Sequence, residues 1–337
     1  MKRPLENIES VFDAFKELKV LIIGDVMIDS YIYGSVKRIS PEAPVPVLNV
    51  GRREQRLGGA ANVALNIQAL GATPILCAVV GDDDEGEAFK ELLKKRGIAS
   101  RGILKCDNRV TTVKNRIISG SQQMMRIDSE TEAPLTSLEE KTLIQLIRQL
   151  IDEVDLVIFE DYDKGCLNER IIKDAIDYSK EKGIHTAVDP KKRNFNAYHR
   201  CSLFKPNLKE LKEGLKIEFD VTISVELRDA VVQLHQSLGF DKALITLSEH
   251  GVYIFDQEEG DLRIPAHRRA IADVSGAGDT VISIAGLCLV LGMKDRFIAA
   301  LANLGGGIVC EYLGVVPIDK ERLMAEATEN NIFELHE

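Results

Sequence analysis

The segment DVSGAGDTVISIAGLCLVLGM (273–293) sets an acid directly behind a turn of small residues. Gly276, Ala277 and Gly278 leave their N–H groups free to converge on one anion, and a helix starting there adds a favourable dipole. Such a turn can cradle a phosphoryl group in transfer, by the logic of an oxyanion hole. Asp279 falls in the first helical turn beside that spot, where it can take a proton from an attacking hydroxyl. The preference of helix N-termini for acids accounts for Asp279 equally well. A second turn, Gly58-Gly59 in LGGAANVALNIQALG (57–71), opens another helix and puts Asn62 within reach of a ligand hydroxyl or in a capping role. A third element, KPNLKEL (205–211), supplies Asn207-x-x-Glu210, which also reads as a capping box.

These groups need a scaffold. Short β-branched runs recur at VLIIGD (20–25), PILCAVVGD (74–82), DLVIFED (155–161), HTAVDP (185–190), ALITLS (243–248) and VYIF (252–255). Segments of helical period lie between most of them, at 85–96, 138–151, 168–182 and 225–238. This alternation predicts an α/β fold, a mostly parallel central sheet with helices on both faces. The strands end in Asp25, Asp82, Asp161, Asp189 and Ser248, with Asn207 after LFKPN, and ligands of such sheets bind beyond the carboxyl ends. The helix after the glycine turn is apolar all round, so it is expected to be buried.

Two stretches break the pattern. SYIYGSVKRISPEAPVPVLNV (30–50) carries Pro41, Pro44 and Pro46 among β-formers, and RVTTVKNRIISGSQQMMRID (109–128) turns at 119–121. Proline confines a strand to an edge. Both read as a small β-flap off the main sheet, serving as a lid or a dimer contact, within a single domain over 1–337.

Composition excludes several partners. Acids outnumber Lys and Arg by 53 to 43, giving a formal charge of −10 that opposes nucleic acid or anionic lipid. There is no tryptophan, and the apolar run 281–293 is too short to span a bilayer. No apolar stretch follows the basic start MKRP, so no secretory signal is read there. Six dispersed cysteines without Cys-x-x-Cys predict reduced thiols in a cytoplasmic protein, and the histidines offer no zinc spacing. A dinucleotide fingerprint is missing after the first strand, where VMIDSY follows, and there is no P-loop.

Taken together and in this order, the Gly-Gly-x-x-Asn, Asn-x-x-Glu and Asp-x-x-Gly-Ala-Gly-Asp segments resemble the ribokinase/PfkB family of carbohydrate kinases. At RISPEAPVPVL (38–48), GGAANVALNIQALGA (58–72), EDYDKG (160–165) and DVSGAGDTV (273–281) the resemblance narrows to the kinase half of bacterial enzymes that make ADP-heptose. It covers 8–327. It implies ATP-dependent phosphorylation of D-glycero-β-D-manno-heptose 7-phosphate at the anomeric hydroxyl. Another sugar kinase of the family, or a sugar-binding regulator without catalysis, is the alternative.

The resemblance also assigns roles. Asp279 is the base, with the amides of Gly276, Ala277 and Gly278 on the transferring phosphoryl group. Asp29, Gly58, Gly59 and Asn62 face sugar hydroxyls. The 7-phosphate calls for guanidinium or ammonium groups, for which Arg38, Lys114, Arg116 and Arg126 are candidates, Arg116 first. Glu210 and Asp161 are expected to hold Mg²⁺ through water, and Lys164, Asp189 and Lys191 to lie near the ATP phosphates. Asn207, Ser248, Gly251 and Asn303 are expected to border the nucleotide, and a monovalent cation such as K⁺ to sit near Asp273. Ser275 stands where threonine is usual, and Ser248 where glycine is frequent. Unpaired strand edges predict a homodimer through the flap. Many relatives continue into a nucleotidyltransferase domain, for which 337 residues leave no room, so adenylyl transfer is expected either from a separate protein or from the rest of a bifunctional enzyme of which this chain is a fragment.

Overall fold

The computed structural model describes residues 5–336. Its strands are β1 (Lys19–Gly24), β2 (Val26–Ile39), β3 (Pro46–Gly59), β4 (Thr73–Gly81), β5 (Gly102–Cys106), β6 (Val113–Ser119) and β7 (Gln122–Ser129). They continue with β8 (Leu156–Glu160), β9 (His185–Asp189), β10 (Leu203–Phe204), β11 (Lys242–Thr246), β12 (Val252–Asp256) and β13 (Gly260–Ile264). Nine of them form the central sheet, in the order β13-β12-β11-β10-β9-β8-β1-β4-β5. From β11 to β5 every pairing is parallel, and only β12 runs the other way, antiparallel to both β11 and β13.

Parallel strands are covered on both faces, which is why their sequences are nearly continuous apolar runs. In β1, Val20 and Ile22 enter one core with the helices Ile8–Phe15, Ala60–Ala69, Ala277–Val290 and Asp295–Val309. Leu21 and Ile23 enter the other, with Ser137–Ile151, Glu169–Lys182 and Ser224–Leu238. The Ala277–Val290 helix is buried nearly throughout, as its apolar circumference predicts. Among the described residues, no helix is long and apolar enough to cross a membrane.

The flap is a separate four-stranded sheet, β3-β2-β6-β7. It is larger than its proline pattern predicts. β2 and β3 each run 14 residues, from the main sheet out to a turn holding Pro41 and Pro44. The charges of RREQR hid the inner half of β3 from sequence reading. In the fold two of its three arginines lie over tyrosine rings, Arg52 at 4.3 Å from the Tyr33 centroid and Arg56 at 4.9 Å from that of Tyr31. Asp29, expected just past the first strand, instead lies within β2, opposite Arg56 on one side and Lys114 on the other.

Candidate active site

The glycine turn is shaped by Asp273. Its carboxylate accepts from Ser275 N at 3.0 Å, Ser275 Oγ at 2.8 Å and Gly314 N at 3.0 Å, which ties the turn to the 310–314 segment. Although burial works against its charge, these donors hold the Asp273 carboxyl below its ordinary range. Gly276 then takes φ +81°, a left-handed value that favours glycine. A Cβ on Gly278 would lie 3.4 Å from Asp189 Oδ2 and 3.5 Å from Lys205 Nζ, so the cradle opens onto that pair.

Asp279 follows, 6% exposed. It accepts from Asn62 Nδ2 at 2.6 Å and from the Tyr162 hydroxyl at 3.2 Å. Burial pushes its carboxyl above the usual range; the Asn62 hydrogen bond pulls the other way and the Asp189 charge adds to the rise. No ion pair locks it among the described residues. One turn deeper, Asn66 is fully buried and donates to Asn62 O at 3.0 Å while accepting from Thr280 Oγ1 at 3.1 Å and Ile318 N at 3.0 Å. A single amide thus joins the two helices that carry Asn62 and Asp279.

Strand ends supply the floor. Glu160 pairs in register with Asp189, and one carboxylate oxygen from each of Glu160, Asp189 and Asp279 lies within 4.8 Å of the others. Side chains alternate along a strand. Leu156, Ile158 and Glu160 therefore share the face of the Ala277–Val290 helix, and Asp161 falls on the opposite one. There Asp161 accepts from Asn194 Nδ2 at 2.9 Å, Tyr198 OH at 2.8 Å and Asp163 N at 2.9 Å. The expectation that Asp161 holds Mg²⁺ is corrected: it lies on the sheet face away from the Ala277–Val290 helix, bound to Asn194, Tyr198 and Asp163, and Glu160 occupies the position facing the cradle. Lys205, which sequence reading passed over, pairs with Asp189 at 2.7 Å in full burial.

Asn207 and Glu210 form the capping box that their spacing also allowed, with Glu210 Oε2 accepting from Asn207 N and Asn207 Oδ1 from Glu210 N, both at 2.9 Å. Glu210 Oε1 pairs with Lys191 at 2.6 Å. Burial opposes the Lys191 charge, yet Asp189 and Glu210 hold its ammonium above the ordinary range. Lys164 is committed to Glu130 at 2.9 Å and Glu132 at 3.6 Å, outside this cluster, and so departs from the phosphate role expected of it. Its backbone N–H, with those of Tyr162 and Cys166, instead donates to the buried Asp25, fixing the loop after β8.

Where β2 and β3 leave the main sheet Asp29, 4% exposed, receives the Arg116 guanidinium, and Gly58 presses on it so closely that a Cβ would lie 2.4 Å from Asp29 Oδ2. Gly59 has φ +62° and ψ −138°, and a Cβ there would meet Asp25 O at 2.4 Å. This backbone region is open essentially to glycine alone, so Gly59→Ala is expected to cost about 1–3 kcal/mol of stability. A urea midpoint that does not fall in that variant would show the turn to be free to relax. Lys114 is half-buried beside Asp29, and burial pushes its ammonium down. Arg126 is turned onto Asp128 at 2.9 Å and is exposed. Arg38 is a second correction. It sits exposed near the outer end of β2, about 30 Å of extended strand beyond Asp29, and does not join the others within one protomer.

The remaining expected residues border β11 and β12. Ser248 takes φ +54°, which explains why glycine would suit that position, and Gly251 takes φ +85° under Ile264 O. The buried Asn303 donates to Pro265 O at 2.9 Å, fastening the 265 segment to the Asp295–Val309 helix. Two acceptors at the centre, Asn62 Oδ1 and Glu160 Oε2, are buried without a hydrogen-bond partner among the described residues. Buried polar atoms are rarely left so. The arrangement suits transfer of an anionic group to a hydroxyl.

Comparison with known proteins agrees. Residues 17–321 match the pfkB family carbohydrate kinase model. The bifunctional protein HldE of Syntrophotalea carbinolica is 36% identical over 317 residues, 94% of this chain and 64% of its own, so this chain spans just under two thirds of that relative. Among solved structures, Escherichia coli phosphofructokinase-2 in complex with potassium superposes with a TM-score of 0.74 at 17% identity, over 92% of this chain and 99% of its own. Arabidopsis thaliana ribokinase complexed with ribose and ATP gives 0.69 at 17% identity, over 91% and 98%. The sheet, its helices and the paired glycine turns are those of a sugar kinase, and the chain belongs to the pfkB family of carbohydrate kinases.

Proposed function

We propose that the chain transfers the γ-phosphoryl group of ATP to the anomeric hydroxyl of D-glycero-β-D-manno-heptose 7-phosphate, giving the 1,7-bisphosphate. The observation that carries this reading is the junction of turn and base: Gly276 lies against Asn62, Gly278 opens toward Asp189 and Lys205, and the Asp279 carboxylate accepts from Asn62, with two bare acceptors beside them. The heptose assignment is supported by the segments 38–48 and 160–165 and by the match to HldE over most of the chain.

In this mechanism Asn62 and Tyr162 orient Asp279, whose carboxylate takes the proton of the sugar hydroxyl as the new O–P bond forms. The amides of the 276–278 turn hold the phosphoryl oxygens, the Ala277 N–H exchanging its bond to Val274 O, and Lys205 and Lys191 add positive charge on the same side. Asp29 accepts from sugar hydroxyls while Arg116 and Lys114 face the distal phosphate. Glu160, buried with an unpartnered oxygen, and Glu210 through water are the carboxylates that would hold Mg²⁺, which when bound would screen the charge of the nucleotide phosphates. Asn207, Ser248, Gly251 and Asn303 line the path to the nucleotide. The Asp273 turn is assigned to a monovalent cation, supported by the potassium complex of phosphofructokinase-2. Exposed Ile39, Val45, Val50, Met125 and Ile127 on the flap support its use as a homodimer contact.

The test is ADP release with Mg-ATP and a panel of heptose 7-phosphate, ribose, fructose and fructose 6-phosphate. Heptose 7-phosphate is expected to give the highest kcat/KM. A faster simple pentose or hexose overturns the acceptor assignment, and no turnover with any sugar overturns it too.

A further inference from the structure

Lys164 stands outside the cluster around Asp279, yet its side chain and its carbonyl both lead to the flap. Arg109 precedes β6, and Glu130 directly follows β7, so these residues mark the two feet of the β6–β7 hairpin. At one foot Arg109 Nη2 donates to Lys164 O at 2.5 Å. At the other the Lys164 ammonium pairs with Glu130 at 2.9 Å and with Glu132 at 3.6 Å. The Lys164 side chain is 14% exposed, so salt and water screen this tie less than a surface pair.

The loop that carries Lys164 needs such ties. Asp163 takes φ +57° and Gly165 φ +84°, and a non-glycine residue keeps a left-handed backbone only where its surroundings impose it. A Cβ on Gly165 would lie 2.3 Å from Ala133 O, so the loop is pressed against the chain returning from β7. From the body, Asp25 holds the same loop by the N–H groups of Tyr162, Lys164 and Cys166. Tyr162 lies between these two anchorages, and its hydroxyl reaches Asp279 at 3.2 Å, at the long end for such a bond. A small displacement of the loop therefore makes or breaks that contact.

We propose that Lys164 is a positioning residue of the kinase reaction: it pins the 161–166 loop to both feet of the β6–β7 hairpin, so that the seating of the flap sets the Tyr162 hydroxyl against Asp279. Cover over the acceptor and orientation of the base thereby become one event. The effect on turnover rests on Asp279 as the base proposed above; the tie itself does not.

The experiment compares the parent chain with Lys164→Met, which removes the ammonium, with Tyr162→Phe and with the double variant, on whichever panel sugar turns over fastest. Lys164→Met should lower kcat about tenfold, the scale of one hydrogen bond to a charged group, and leave KM for ATP unchanged. Burial raises the Asp279 carboxyl and the Tyr162 hydrogen bond holds it back, so the acid-side limb of kcat should move to higher pH in Lys164→Met and Tyr162→Phe alike. Asn62, Glu160, Asp189 and Lys205, which also face Asp279, are the same in all of these chains. The double variant should match Tyr162→Phe within about twofold. Without ligands, hydrogen exchange of the 162–166 amides should quicken in Lys164→Met. A KM for ATP raised tenfold with the limb in place would make Lys164 a phosphate ligand and overturn the proposal. Additive losses in the double variant, or unchanged exchange, overturn it as well. Glu130→Gln should move the limb and the exchange in the same direction, and it carries the test if Lys164→Met does not fold. A wrong acceptor sugar leaves these results in place, and a limb that survives Asp279→Asn removes the base while the exchange still judges the tie.

Discussion

Asp279→Asn lowers kcat by about 10²- to 10⁴-fold, the range for loss of a positioned general base, with sugar and nucleotide affinities close to those of the parent chain. The amide keeps the size of the carboxylate and can still contact Asn62 and Tyr162, so the turn and the Ala277–Val290 helix stay in place. What is lost is the ability to take the hydroxyl proton. Loss of kcat with unchanged ligand affinity is the signature of an interaction made in the transition state. The pH profile provides a second readout. Burial holds the Asp279 carboxyl above its ordinary range, and the base acts only when deprotonated, so the parent gains activity as pH rises through that raised value. The variant should lose this limb. Near-parental turnover in Asp279→Asn would move the proton to another acceptor, Asp189 and Glu160 being the carboxylates grouped with it.

Lys205→Met is expected to remove about 3–5 kcal/mol of stability, because one partner of a buried ion pair is deleted and the other is left charged. The penalty falls on Asp189, whose carboxylate would then face Glu160 and Asp279 without an ammonium in contact. The loss depends on pH, and its sign follows from proton counting. Without Lys205 the Glu160 and Asp279 carboxyls, already raised by burial, lose a cation that lowers them in the folded chain, while in the unfolded chain they titrate near 4. At neutral pH the folded variant binds more protons than the unfolded one, so its stability falls as pH rises and recovers toward acid. Urea unfolding at pH 8 and at pH 5.5 checks this. A variant equally destabilised at both would show that the lysine acts by packing rather than by charge.

Much of this was legible in the sequence. The alternation of apolar runs and helical periods gave the parallel sheet because strands covered on both faces must be apolar throughout. The glycine turns announced themselves because close backbone approach leaves few residue types: a side chain on Gly278 would fill the space before Asp189 and Lys205. Side-chain direction was harder. Asp161 looked like the terminal acid of its strand, yet counting by twos from Leu156 puts Glu160 on the side of the Ala277–Val290 helix, and that parity was available in DLVIFED. Lys205 sat in a quoted segment but gave no hint of burial, since its cost is met by Asp189, a partner distant in sequence. Tyr162 left no signal at all; its hydroxyl meets Asp279 only through the loop that Asp25 fixes. Arg38 failed for a different reason: composition places a residue in the flap but not at a distance along it.

The amide of Asn66 grips both of the helices that begin at the glycine turns. The two glycine turns are therefore tied together from beneath, and moving one against the other would break the hydrogen bonds of a fully buried amide. Whatever opening and shutting accompanies turnover falls to the two long ribbons, β2 and β3, arching over them.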